Sequence, residues 1–282
     1  MRRVVAPTLA GLVLLVGWEV GVRLSGLPAF VLPPPSQVAR TAIEVAPLLG
    51  PDVVTTLTEA GLGLVVGAVV GLLLAVVIAA FPWVSVTLYP LVTLTQTVPT
   101  VVLAPLLILW AGFGLLPKVV LVALTAFFPV LVAAVTAMAA VDAEHAEMVA
   151  GLGGTRRHQF WLVQLPASVP GALGGLRVAA TYAIGAAVVA EYLAGQSGLG
   201  VFVQRSRKGY EVDQILVAVA LVAVLTGLLF LLVDGLARLA TPWQRPSSPS
   251  RTSRPSSCPR RRRSPAPPSR SPRCSGPTSS RP

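Results

Sequence analysis

From Ala60 to Pro117 the chain carries no charged residue, a run of 58 positions. A helix needs roughly 20 apolar residues to cross the hydrocarbon core of a bilayer. The run is therefore too long for one span and suits two antiparallel spans joined by a short turn. A water-soluble core of this size has no need of so long an uncharged stretch. Shorter uncharged runs follow the same logic: Val119–Val141 gives 23 residues, Gln214–Val233 gives 20 and Val4–Trp18 gives 15. Together they predict an all-α polytopic membrane bundle of about six transmembrane helices, near 4–24, 58–81, 85–112, 118–140, 172–195 and 214–237. The first extends past Trp18 because Glu19 and Arg23 can pair four residues apart on a helix. It is read as an uncleaved anchor, since no small-residue cleavage site follows its apolar core. The fifth is the weakest, with only 13 uncharged residues between Arg177 and Glu191, so both charges are expected near the membrane faces. Residues 25–57, with Pro33, Pro34 and Pro35, read as an extramembrane loop.

Net charge is +11, which in a soluble chain would suggest a nucleic-acid partner. Its distribution removes that reading. Residues 1–244 hold 12 basic and 11 acidic residues, whereas residues 245–282 hold 10 basic residues and no acid. The body is a near-neutral membrane domain. The tail, 32 of whose 38 residues are Arg, Pro or Ser, is too poor in apolar side chains to fold. Such a tail can touch anionic lipid through Arg260–Arg263. The same composition also arises when a GC-rich gene is read in the wrong frame. Both cysteines, Cys258 and Cys274, lie in this tail, so the body has no disulfide or thiolate metal site. No P-loop, catalytic triad, paired carboxylates or zinc-protease helix is present. No cofactor or metal is expected, and the chain is read as a non-enzyme.

Several features in the body can carry function. Gly63, Gly67 and Gly71 recur every four residues on one helix face, which lets backbones approach closely in lipid; packing within the chain is the expected use. The third span is interrupted by Pro90, Pro99 and Pro105, with Thr93, Thr95, Gln96, Thr97 and Thr100 among them. Irregular backbone at membrane depth is tolerated where it is buried or lines a cavity. Gln96, Thr97 and Pro99 are therefore candidates to line a pathway, or else form a kink held by threonine hydroxyls. Glu191 either faces a cavity or, the reading preferred, sits solvated at headgroup level. Residues 142–177, DAEHAEMVAGLGGTRRHQFWLVQLPASVPGALGGLR, predict a short helix ending at Gly151–Gly154, then a second segment over 155–164 that stops before Pro166. Such a helix–turn–helix could dock a partner outside the bilayer or lie on lipid, with Trp161 as anchor.

This last stretch resembles the cytoplasmic loop of permease subunits of bacterial ABC importers. That loop runs E-A-A, three residues, G, nine residues, I-x-L-P. Here Glu147, Gly153, Leu165 and Pro166 match, Val163 stands for Ile, and Met148 and Val149 replace the two alanines. W-E-V-G-V-R (18–23), L-P-P-P-S-Q-V (32–38), T-V-P-T-V-V-L-A-P-L-L-I-L-W-A-G-F-G (97–114), L-P-A-S-V-P-G-A-L-G-G-L-R-V-A (165–179) and A-E-Y-L-A-G-Q-S-G-L-G (190–200) are similar to the nitrate, sulfonate and taurine branch. T-L-T-E-A-G-L-G (56–63) and A-T-Y-A-I-G-A-A-V-V-A-E-Y-L (180–193) lean toward permeases for the pyrimidine precursor of thiamine.

The resemblance implies an ATP-driven importer subunit in the cell membrane. ABC ATPase subunits would bind a coupling site at Glu147, Ala150, Gly153, Val163, Leu165 and Pro166. An extracytoplasmic binding protein would deliver the solute, and a second permease copy, most simply an identical one, would complete the pathway. The resemblance also orients the chain. Positive charge alone splits evenly between the two sides, but a loop that meets the ATPase is cytoplasmic, which places both termini inside. An ion-coupled secondary transporter is the main alternative; it calls for internal repeats and midplane ionisable groups, neither of which the sequence displays.

Overall fold

A computed structural model describes residues 2–26, 28–140, 148–149 and 151–241. All regular structure among them is helical. In chain order the helices are α1 (Arg2–Ser25), α2 (Pro35–Ala80), α3 (Pro82–Thr95), α4 (Thr100–Ala111), α5 (Leu115–Ala139), α6 (Arg156–Gln159), α7 (Leu165–Ala194), α8 (Leu199–Lys208) and α9 (Val212–Ala240). A π-helical turn, Phe160–Gln164, joins α6 to α7 without a break. Five helices are long and apolar enough to cross a membrane, and the bent α3–α4 pair makes a sixth candidate.

Helix α5 is the hub. It packs between α2 on one side and α7 on the other. Glycine makes both contacts close. On α2, a Cβ at Gly67 would stand 2.7 Å from the Ala123 carbonyl and 2.8 Å from the Ala126 Cβ, and Gly63 and Gly71 press equally on Val122 and Phe127. The stripe expected to pack within the chain does so. A second stripe, not singled out from the sequence, lies on α7: a Cβ at Gly175 would meet the Pro129 carbonyl at 2.5 Å, and Gly171 abuts Ala133 and Ala137. Small residues at both seams let dispersion contacts accumulate where lipid offers no hydrophobic gain on association.

Two expectations need correction. The loop expected over residues 25–57 is helical from Pro35 onward; α2 begins there and runs 46 residues, about 69 Å at 1.5 Å per residue. Pro35 sits in the first turn, where its missing donor has no helical partner to lose. The helix continues past Pro47 and Pro51 because Thr41, Val45, Leu49 and Thr56 are buried along it. Likewise the segment after Thr155 does not stop before Pro166. The Leu165 amide reaches back five residues to the Phe160 carbonyl, and the wider turn accommodates a residue with no N–H of its own.

The expected Glu19–Arg23 pair forms at 2.6 Å. Glu19 also accepts from the Ser36 amide at 3.0 Å and hydroxyl at 2.8 Å, fastening the end of α1 to the start of α2. Arg177 is paired with Asp234 of α9 at 2.9 Å, and Arg238 joins the same carboxylate at 2.7 Å.

Candidate functional site

The segment before α6 is built by local rules. The Leu152 amide bonds the Met148 carbonyl at 3.2 Å and the Gly154 amide bonds the Val149 carbonyl at 2.8 Å. The second bond spans five residues, and Gly153 has φ +79°. That is the helix-ending motif in which a left-handed residue reverses the chain, a conformation glycine adopts without Cβ strain. Thr155 then opens the next helix. Its amide (3.2 Å) and hydroxyl (2.9 Å) both meet His158 Nδ1, so a side chain three residues on satisfies the cap amide, as in a capping box. Met148, Leu152, Trp161 and Leu162 are left exposed, Leu152 at 83%. Of the candidate coupling residues, Gly153 and Pro166 are exposed and Val163 and Leu165 half-buried. Glu147 and Ala150 lie outside the described residues.

The third span breaks at residues 96–99, where α3 and α4 meet at 91°. Pro99 caps α4 with ψ 122°, and a residue preceding proline is pushed out of the helical region. Threonine hydroxyls bond the neighbouring carbonyls: Thr93 donates to Tyr89 (2.9 Å), Thr95 to Val92 (2.6 Å) and Thr97 to Leu94 (2.8 Å). The Thr97 hydroxyl is thus engaged by the kink itself. Gln96 and Pro99 are exposed.

A third cluster gathers where α5 begins and α7 ends. The two charges that bound the long uncharged run, Glu59 and Lys118, meet as a buried ion pair at 2.5 Å; Glu59 is 2% and Lys118 6% exposed. Beside them Glu191 is 1% exposed. It accepts from the Thr56 hydroxyl at 2.7 Å and the Gly200 amide at 2.7 Å. The Leu199 amide donates to Thr56 Oγ1 at 3.0 Å, and the Gly198 amide to Asp52 at 2.8 Å. Three amides at the start of α8, which no helical carbonyl can satisfy, are therefore capped by side chains of α2 and α7. The preferred reading of Glu191 as a solvated headgroup-level carboxylate is overturned: the α7–α8 turn folds over it and excludes water. Nor does it face an open pathway here. Gly198, at φ +108°, and Gly200 have no room for a Cβ, since each would collide with Glu191.

Asp52, Thr56 and Lys118 were not among the candidates from sequence. Their signal was present in two forms: Asp52, Thr56 and Glu59 are spaced four and three apart, one face of a helix, and Glu59 and Lys118 are the boundaries of the uncharged run. Removing the cation is expected to be costly. Lys118→Met leaves buried acids uncompensated, and a loss of about 3–5 kcal/mol is expected, read as a lowered midpoint in denaturation of the detergent-solubilised protein.

A family model described as binding-protein-dependent transport system inner membrane component matches residues 67–246. The chain belongs to this family. Curated relatives agree along most of its length. It is 30% identical over 240 residues to the formylaminopyrimidine transport permease protein ThiX of Halalkalibacterium halodurans, covering 85% of this chain and 96% of the relative. It is 36% identical over 235 residues to the riboflavin transport system permease protein RibX of Chloroflexus aurantiacus, covering 83% and 88%. It is 30% identical over 238 residues to the taurine transport system permease protein TauC of Escherichia coli, covering 82% and 86%. Among solved structures, an inward-facing MetNI methionine ABC transporter chain superposes with a TM-score of 0.61 at 20% identity, over 70% of this chain and 98% of that one. This inner-membrane component is thus a multi-pass transport subunit of an ABC importer, with the helical permease fold. The candidate coupling residues and the α3–α4 break fall inside the matched range, whereas Asp52, Thr56 and Glu59 precede it.

Proposed function

We propose that two copies of this permease form the pathway for a small heterocyclic solute, delivered by an extracytoplasmic binding protein and driven by ABC ATPase subunits. Membership of the inner-membrane-component family is the observation that carries this reading. Glu147, Ala150, Gly153, Val163, Leu165 and Pro166 form the ATPase-coupling segment. The exposed Met148, Leu152, Trp161 and Leu162 support it, because apolar side chains projecting from this capped turn and the helical stretch after it are suited to a groove on a partner. The coupling segment faces the cytoplasm, both termini share that side, and the Glu59–Lys118–Glu191 cluster lies toward the outside. ATP hydrolysis belongs to the partner, since this sequence has no P-loop. Each ATPase state biases the permease between inward- and outward-facing arrangements by its differential affinity for the two.

Gln96, Thr97 and Pro99 line the pathway. Gln96 and Pro99 are exposed on the surface of one chain, so a second copy is needed to close a pathway along them. An identical copy is the simplest arrangement. The heterocyclic class rests on the ring-containing ligands in the names of two relatives, formylaminopyrimidine for ThiX and riboflavin for RibX; sulfonates such as taurine, and nitrate, are the competing class. Reconstituting the permease with its ATPase and binding protein, and asking which compound accelerates ATP hydrolysis, tests the assignment. Stimulation by taurine or nitrate, and none by pyrimidines or flavins, would refute the heterocyclic class.

Residues 1–244 constitute the permease domain, and residues 245–282 are dispensable for it. Truncation after Gln244 is expected to leave uptake at the full-length level in a vesicle assay, and lost uptake would contradict the domain boundary.

A further inference from the structure

The cluster between α2, α5 and α7 has an imbalance of charge. Two carboxyls, Glu59 and Glu191, are buried beside one cation, Lys118; Thr56, three residues before Glu59 on the same face of α2, donates to Glu191 at 2.7 Å and so sets the two acids side by side. Glu59 Oε1 is engaged by Lys118, but Glu59 Oε2 is buried without a hydrogen-bond donor. Glu191 already accepts from Thr56 and Gly200. Among the described residues no second cation pairs with either carboxyl; Arg207 of α8 lies over the Tyr192 ring instead. From α2 comes Asp52, itself an acid, bonded to the Gly198 amide; α8 contributes backbone amides; Ala104 and Leu107 of α4 pack nearby with Leu121 and Ala190 as an apolar wall.

We propose that this cluster is a proton-binding site, with one proton carried on Glu59 Oε2 and donated to the Glu191 carboxylate. Lys118 then faces one net negative charge, and the orphaned oxygen becomes a donor with a partner. With both acids ionised, two like charges would sit side by side in a dry site, and buried carboxyl pairs avoid this by retaining a proton. Glu59 Oε1 becomes the carbonyl oxygen of the neutral acid and still accepts from Lys118. The bound proton joins α2 to α7 just beneath the α7–α8 turn, making that closure titratable. The assignment rests on the geometry of the cluster and not on the functional reading above.

The test uses the full chain assembled with its ATPase in lipid. Infrared difference spectra between H2O and D2O are expected to contain a protonated-carboxyl C=O band in the wild type that is absent in Glu59→Gln. In that variant the carboxamide oxygen still accepts from Lys118 and the NH2 donates to Glu191. Melting temperature is expected to fall on alkaline titration more steeply in the wild type than in Glu59→Gln, because only the wild type has a proton to lose here. A wild type without the band, a band that survives Glu59→Gln, or identical pH slopes would overturn the proposal. If Glu59→Gln does not assemble, Glu191→Gln must remove the same band. A band that behaves as expected in a complex showing no ATP-driven uptake would count against the transport reading and leave the proton site standing.

Discussion

Deleting residues 147–153 is expected to abolish ATP-driven uptake while leaving the amount of membrane-inserted protein unchanged. The segment lies between two spans, and its described residues, 148–149 and 151–153, are not among the buried core, so insertion and bundle packing are not expected to depend on it. What it contributes is a capped turn ending at Gly153. A single substitution should act in the same direction. Gly153→Val forces a β-branched side chain into the left-handed region, at a local cost of about 1–2 kcal/mol, and reorients the turn that presents Leu152. The measurement is uptake into vesicles normalised to inserted permease, with ATPase co-purification read in parallel. Normal uptake by the deletion variant would remove this segment from the mechanism.

The second large effect is expected at the α2–α5 seam. Gly67→Val and Gly71→Leu place carbon atoms inside α5 backbone: the Ala123 carbonyl stands 2.7 Å from the Gly67 Cβ position, and Gly71 abuts the Phe127 carbonyl. Backbone cannot move aside as a flexible side chain can, so the helices must separate. Overpacking costs about 1–3 kcal/mol per site, and two sites on one seam are expected to compound until the chain elutes as aggregate or is proteolysed. Gly61→Ala is the control. Its Cβ meets nothing within 4 Å, and exchanging a helical glycine for alanine is neutral to stabilising by up to about 1 kcal/mol. Equal damage from Gly61→Ala and Gly71→Leu would show that glycine on α2 serves something other than close approach.

The spans were legible because charge in hydrocarbon is penalised, and uncharged runs therefore mark them directly. The α2 seam was legible for a similar reason: small residues four apart leave a simple periodic trace. Proline was the misleading signal. Pro35 and Pro166 read locally as breakers, yet each sits in a first helical turn, the second continuous with a widened turn before it. The turn before α6 was legible from Gly151–Gly154, although its closing contacts, Gly154 to Val149 and Thr155 to His158, emerge only with the backbone path. The cluster at Glu191 was the least legible. Residues 52–59, 118 and 191–200 are brought together by packing across four helices, and a lone carboxylate near a span end reads as solvated until the turn that covers it is seen.

The central claim, that this permease couples ATP hydrolysis to solute entry, is tested most directly in proteoliposomes containing the permease, its ATPase and the liganded binding protein. Solute entry and phosphate release are measured together, with and without an imposed ion gradient. The expected result is uptake that needs ATP hydrolysis, needs the binding protein, and ignores the gradient. Uptake that persists when hydrolysis is blocked and follows the gradient would contradict the claim and identify an ion-coupled carrier.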